Sequence, residues 1–212
     1  MTAIGITKLT DLQYRLLEGI QSKRDVSCAI REGGGKTVAC LLGAIGVVDF
    51  KKLMPQVLVI NPTREVCKWT SEKLDSMNYN KLMKSVLVVG GVTIREQIEG
   101  IRAGCNIICG ICGRMLDLIE REVFKTEMIK LVVFYELSDQ LDMGFSASIV
   151  SIISKLQYSC QILFSSSHKT DIILKLEQSF LTNPVQIMEK LTCTVQPSLI
   201  TYIWYKAIPE FS

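Results

Sequence analysis

The chain has 212 residues, 48% of them hydrophobic and 21% charged, with a formal net charge of +3. This length and balance suit one well-buried globular domain, exclude a disordered chain, and permit a nucleic-acid partner without requiring one. No apolar run reaches bilayer length, so no membrane partner is expected, and the opening MTAIGITKLTD lacks the charged-then-apolar form of a secretory signal.

In chain order, the pattern predicts a helix over 10–22, a strand over 25–30 and a helix over 36–48. Strand and helix then alternate: strand 56–61 and helix 64–77, strand 85–90 and helix 93–103, strand 105–109 and helix 113–122. Strand 129–135 and helix 145–156 follow, then strand 160–165, helix 170–181 and strand 184–188. The strand segments are continuously apolar (VLVI, SVLVV, NIIC, KLVVF, QILF), as in strands buried on both faces. The expected fold is therefore α/β, a mostly parallel central sheet with helices on both faces and ligands at the carboxyl ends of the strands. Residues 1–190 form the expected domain. Residues 191–212, which carry Pro197 and Pro209, read as a linker or the start of a following segment.

Between the first strand and the second helix lies Gly33-Gly34-Gly35-Lys36-Thr37. Glycines let backbone N–H groups wrap a phosphate, and the helix N-terminus adds its partial positive charge. Lys36 would reach the β- and γ-phosphates, and the Thr37 hydroxyl would sit on Mg²⁺. A plain glycine-rich turn is the competing reading. The eight cysteines, with Cys28, Cys105, Cys109, Cys112 and Cys160 in or beside predicted strands, read as buried free thiols of a reducing compartment. Cys105, Cys109 and Cys112 have no answering CxxC pair, and His168 is distant in sequence, so zinc is not expected. Trp69, Met83, Met128 and Met143 read as packing residues, and Trp204 as packing or a docking residue.

Further signals stand at successive strand ends. Gln13 lies in Leu9-Thr10-Asp11-Leu12-Gln13. After it come IREGGGKT (30–37), PTREV (62–66), Gly90-Gly91, GICGR (110–114), FYELS (134–138), LDMGF (141–145) and FSSS (164–167). Their order and spacing resemble the first RecA-like domain of the DEAD-box RNA helicases, over about residues 5 to 190. The resemblance implies a RecA-like P-loop fold, ATP with Mg²⁺ as cofactors, and RNA held by its backbone. It also implies a second RecA-like domain, absent from this chain, to complete the machine.

Residue by residue, Gln13 matches the family's adenine-reading glutamine. Gly33, Gly34, Gly35, Lys36 and Thr37 fall in its phosphate loop, with Thr37 on the metal. Ile30 stands where the family has Ala, and its bulk is expected to tilt or narrow the loop. Pro62, Thr63, Arg64, Gly91, Gly113 and Arg114 match RNA-facing positions; Ile111 and Cys112 replace a Thr and a Pro. Arg64 reads equally as an ion-pair partner. Tyr135-Glu136-Leu137-Ser138 replaces Asp-Glu-Ala-Asp. Glu136 matches the residue that positions or deprotonates the attacking water, although an ordinary strand-end acid reads the same. Tyr135 offers no carboxylate for Mg²⁺. Asp139, one helical turn on, is expected to point elsewhere. Ser165 and Ser167 keep the outer hydroxyls of the family's Ser-Ala-Thr coupling motif.

Three readings follow: a nucleotide- and RNA-binding helicase-like domain with impaired hydrolysis, an active ATP-dependent RNA helicase once joined to its second domain, and a non-catalytic protein-interaction scaffold. The degenerate acidic motif also resembles the helicase-like region of Tudor-domain germline proteins of piRNA-mediated transposon silencing. That resemblance implies Piwi-class or Tudor partners and a cytoplasmic location in germ granules.

Overall fold

A computed structural model describes residues 9–78 and 81–188. The elements run α1 (Asp11–Gln21), β1 (Val26–Ala29), α2 (Lys36–Val47), β2 (Val57–Asn61), α3 (Arg64–Met77) and β3 (Ser85–Val88). They continue through α4 (Ile94–Arg102), β4 (Ile107–Ile111), α5 (Cys112–Glu120), β5 (Leu131–Tyr135), α6 (Leu137–Asp142) and α7 (Ser146–Ser154). The last are β6 (Gln161–Ser166), α8 (Asp171–Phe180) and β7 (Val185–Met188), and a 3-10 turn at Thr126–Met128 precedes β5. The sheet has seven strands in the order β3-β4-β2-β5-β6-β1-β7, and every pairing is parallel. This is the expected RecA-like α/β architecture. Residues 189–212, with Trp204 and the expected linker, lie outside the described residues.

Alternation along the strands divides the apolar residues between two cores. On one face Val26, Cys28, Val59, Val133, Tyr135 and Leu163 pack beneath α1, α2 and α3. On the other, Leu58, Ile60, Val132, Phe134 and Phe164 pack against residues of α4 through α8. Phe134 and Phe164 meet edge to face, with centroids 5.7 Å apart. With every strand pointing the same way, the six loops that bear the sequence motifs emerge along one edge of the sheet. Strand order divides them: the loops after β1, β5 and β6 form one half, and those after β2, β3 and β4 the other.

Some expectations change. Helix α6 was not legible in the sequence, because six residues are too few to show a period. The chain turns into it through Glu136 at φ 50°, ψ 59°, a left-handed conformation that strains a residue bearing a Cβ. Trp69 is 48% exposed on α3 and Met143 is 51% exposed after α6, so neither packs as expected, whereas Met83 is buried. Their apolar side chains fall on the solvent side of amphipathic or very short helices. Of the eight cysteines, the seven described are buried and free. No group of three or more potential metal ligands occurs among the described residues.

Candidate functional site

Helix α1 opens with a capping box. Thr10 Oγ1 accepts from the Gln13 N–H at 3.2 Å, and Gln13 Oε1 accepts from the Thr10 N–H at 2.9 Å. The same Gln13 amide reaches the phosphate loop, its Nε2 donating to the Gly35 carbonyl at 3.3 Å. Gln13, expected as an adenine reader, therefore also fastens α1 to the loop. The T-x-x-Q spacing carried that signal in the sequence. One N–H and one lone pair of its amide remain beyond these contacts.

The loop takes positive φ at Gly33 (80°) and Gly35 (78°), the latter serving as N-cap of α2 with no side-chain cap. The first N–H groups of α2 thus lack a side-chain acceptor at the cap, an arrangement suited to an anion. Ile30 packs against the loop from within the core. It is buried, and a Cβ on Gly34 would lie 2.4 Å from Ile30 Cγ2. The extra bulk occupies the space that the central glycine leaves.

Lys36 is buried, with its Nζ donating to the Ile30 carbonyl at 2.9 Å and pairing with Glu136 Oε1 at 2.7 Å. Burial raises the Glu136 carboxyl above its ordinary range, although Lys36 pulls it down; Asp139 and Glu32 add to the rise. Thr37 Oγ1 lies 2.5 Å from the Tyr135 hydroxyl. Burial, the largest effect, pushes the phenol's ionisation well above the ordinary tyrosine value, so it stays neutral near pH 7.

The family's Mg²⁺ does not fit this arrangement. A small hard cation needs near-octahedral oxygen ligands and usually a carboxylate. Here the carboxylate position holds a neutral phenol, already engaged with the hydroxyl that would face the metal.

Next along the row, in register with both Tyr135 and Cys28, is Ser165. Its buried Oγ has no nitrogen or oxygen partner among the described residues and lies against the thiols of Cys28 and Cys40. Cys28 is pulled below its ordinary value, mainly by the Cys40 contact, and Cys40 is raised correspondingly. Ser167 instead meets Ser138, hydroxyl to hydroxyl at 3.4 Å, and Ser138 donates to Asp139 at 3.3 Å. Of the two serines expected to couple motifs, Ser167 touches the acidic segment and Ser165 faces the underside of α2.

In the other half, Thr63 caps α3, accepting from the Val66 N–H at 3.2 Å, with Pro62 buried just before it. The exposed Arg64 guanidinium lies over Gly90 and Gly91. A Cβ on either would come within 2.6 or 2.9 Å of its nitrogens, and Gly91 has φ 85°. Arg64 makes no ion pair among the described residues, so its alternative reading as an ion-pair partner finds no counterpart there. Arg114 donates to Val92 O at 3.4 Å and to Gln97 Oε1 at 3.2 Å, while Gln97 donates to Val89 O at 2.6 Å. Gly113 is exposed, with open space where a Cβ would stand. Thr63, Arg64, Gly91, Gly113 and Arg114 thus gather on one surface of small residues and cationic groups, suited to a nucleic-acid backbone.

Sequence reasoning missed two glutamines. Gln97 braces the Val89–Val92 loop. Gln140, fully buried, donates to Ile60 O at 3.0 Å and Tyr135 O at 2.8 Å and accepts from the Cys112 thiol at 2.9 Å, joining the two halves. Both lie on helix faces that period alone marks only as buried.

The fold and the glycine loop before α2 together define a RecA-like phosphate-loop domain. Residues 10–171 match the DEAD/DEAH box helicase family, and the chain belongs to that family. It is 30% identical over 186 residues to the ATP-dependent RNA helicase eIF4A of Kluyveromyces lactis, covering 88% of this chain and 47% of that protein. It is likewise 30% identical over 189 residues to the ATP-dependent RNA helicase FAL1 of Candida glabrata, with the same coverage. Among solved structures, a DEAD box protein from the hyperthermophile Methanococcus jannaschii superposes with a TM-score of 0.81 at 26% identity. That alignment covers 86% of this chain and 50% of the other. The chain thus spans about half the length of the curated relatives it matches.

Proposed function

We propose that this domain binds a nucleotide and an RNA backbone but supports little ATP hydrolysis. The observation that carries the reading is the 2.5 Å contact between Thr37 and Tyr135, where the family chemistry calls for a carboxylate and a cation. In-line phosphoryl transfer depends on positioned charge that neutralises the developing negative charge on the phosphoryl oxygens. Lys36 and the loop N–H groups supply part of it; Tyr135 supplies a hydrogen bond only. Glu136 faces Lys36 and is the one residue of the segment kept in the role of water activation. Gln13 stands beside the loop as the proposed adenine contact, and Ser167 with Ser138 as the proposed link between nucleotide and RNA halves.

RNA binding is proposed through Pro62, Thr63, Arg64, Gly91, Gly113 and Arg114. Such contacts read phosphate and sugar, so weak sequence preference follows. Unwinding is proposed to need a second RecA-like domain. The test is RNA-stimulated ATP turnover by the protein joined to that domain, with RNA crosslinking measured in parallel. Crosslinking that depends on Arg64, with turnover at background, supports the reading. Turnover stimulated by RNA shows the active-helicase alternative instead, and loss of both activities favours a scaffold.

The affiliation with Tudor-domain germline proteins and piRNA silencing is a separate proposal, supported by the degenerate acidic motif alone. Co-precipitation of Piwi-class or Tudor proteins from germ-cell lysate, with germ-granule localisation, tests it; their absence ends it.

A further inference from the structure

The substitution at Tyr135 replaces one kind of chemistry with another. The phenol rises from β5, a strand paired on both sides by β2 and β6, and is 6% exposed. A ring so placed cannot swing clear without disturbing the core beneath α2. Its oxygen is hydrogen-bonded to the Thr37 hydroxyl at 2.5 Å, so both are already engaged where a hard cation would need free oxygen ligands. Toward bare phosphate oxygens the same groups are useful. One of the Tyr135 and Thr37 hydroxyls keeps a free proton, and it joins the Lys36 ammonium and the uncapped N–H groups at the start of α2 as a hydrogen-bond donor.

The charge around Lys36 limits what can enter. Glu136 lies 2.7 Å from its Nζ. Asp139 and Glu32 lie close enough to Glu136 to disfavour its ionised form. Glu136, 2.7 Å from the Lys36 ammonium, would stand beside any phosphate that Lys36 binds, and each further negative charge on the ligand would add repulsion.

We propose that the phosphate loop selects a nucleoside diphosphate free of divalent cation over the Mg²⁺ complex of a nucleoside triphosphate. The inference rests on the nucleotide-binding reading above and names the form of ligand that this site takes. A cation-bound nucleotide would bring its metal and the metal's waters to the place filled by the Thr37–Tyr135 pair.

The experiment titrates the 212-residue chain with fluorescent ADP and ATP, each in excess Mg²⁺ or in EDTA. It uses the wild type, Lys36→Met and Tyr135→Asp. The wild type should bind ADP roughly 2- to 10-fold more tightly in EDTA than in Mg²⁺, the value of about one hydrogen bond. In EDTA it should bind ADP more tightly than ATP. Tyr135→Asp should reverse the metal effect, so that Mg²⁺ strengthens binding. Should circular dichroism show that this variant is unfolded, Tyr135→Phe keeps the ring and removes the donor, and should weaken ADP binding in EDTA. Wild-type binding that is unchanged or strengthened by Mg²⁺, or that favours ATP in EDTA, overturns the inference while the nucleotide reading stands. Binding that is absent, or indifferent to Lys36→Met, overturns the nucleotide reading and the inference with it.

Discussion

The two halves of the strand-end edge differ in how far their polar groups are already committed. After β1 and β5, Lys36 is paired with Glu136 and Thr37 with Tyr135, and after β6 Ser167 meets Ser138. After β2, β3 and β4, Arg64 lies exposed over two glycines and Gly113 stands open. In the first half Lys36 and Thr37 are already partnered, so the proposed nucleotide would have to displace internal contacts to reach them, although the first N–H groups of α2 stay uncapped. In the other half Arg114 and Thr63 are also bonded, but Arg64 and Gly113 stay exposed, so the proposed RNA backbone would dock there with little rearrangement. Substitution at one strand end, Tyr135, accounts for much of the difference: a donor has replaced an anion, and the loop's Thr37 hydroxyl has found a partner within the chain.

The comparison can be broken at several places. The largest effect is expected from Lys36→Met, which removes a charged donor from the loop. Nucleotide affinity should fall roughly 10- to 100-fold, as for a charge-assisted hydrogen bond of about 1.5–3 kcal/mol, while RNA crosslinking is unchanged. A parallel loss of RNA binding would show that the halves are not separate.

Gln140→Met leaves the carbonyls of Ile60 and Tyr135 without their donor. Urea unfolding should show a loss of about 1–3 kcal/mol, the cost of stranding buried acceptors. No loss would mean that the link between the halves is not structural.

Gly34→Ala drives a methyl against Ile30 Cγ2 and should cost about 1–3 kcal/mol by overpacking. Adding Ile30→Ala to it should recover part of that loss. A coupling energy near zero in the double-mutant cycle would show that the two residues do not fit each other.

A smaller effect is expected from Arg64→Ala, which should lower the slope of RNA affinity against salt by about one phosphate contact and leave nucleotide affinity alone. The mildest is a pH effect. Burial pushes the thiols of Cys67, Cys105, Cys112 and Cys160 up to about 12, from an ordinary thiol value of 9.0. The unfolded chain ionises these groups first, so their contribution is fully present below pH 9 and is lost as pH rises toward 12. The urea midpoint should be lower at pH 10 than at pH 8. An equal or higher midpoint would show that these thiols ionise alike in both states.

Much of this was readable in the amino-acid order. Continuous apolar runs such as 57–60 announced strands buried on both faces, and the glycine loop before α2 announced the turn that leaves its first N–H groups without a side-chain cap. Each depends on local chemistry: the period of apolar residues, the freedom of glycine, and donors at a helix start. The resemblance to the family also marked Tyr135 as standing where a carboxylate is expected.

Tertiary structure alone decided where the phenol went. Thr37 and Tyr135 are 98 positions apart, and their contact exists because α2 lies across β5 in a parallel sheet. The same holds for Ile30 filling the hollow at Gly34, for Gln13 holding Gly35, and for Gln140 spanning Ile60 and Tyr135. Side chains from separate elements meet only after the cores on both faces have set helices against strands. Residue type limits which hydrogen bonds and ion pairs are available; packing chooses among them.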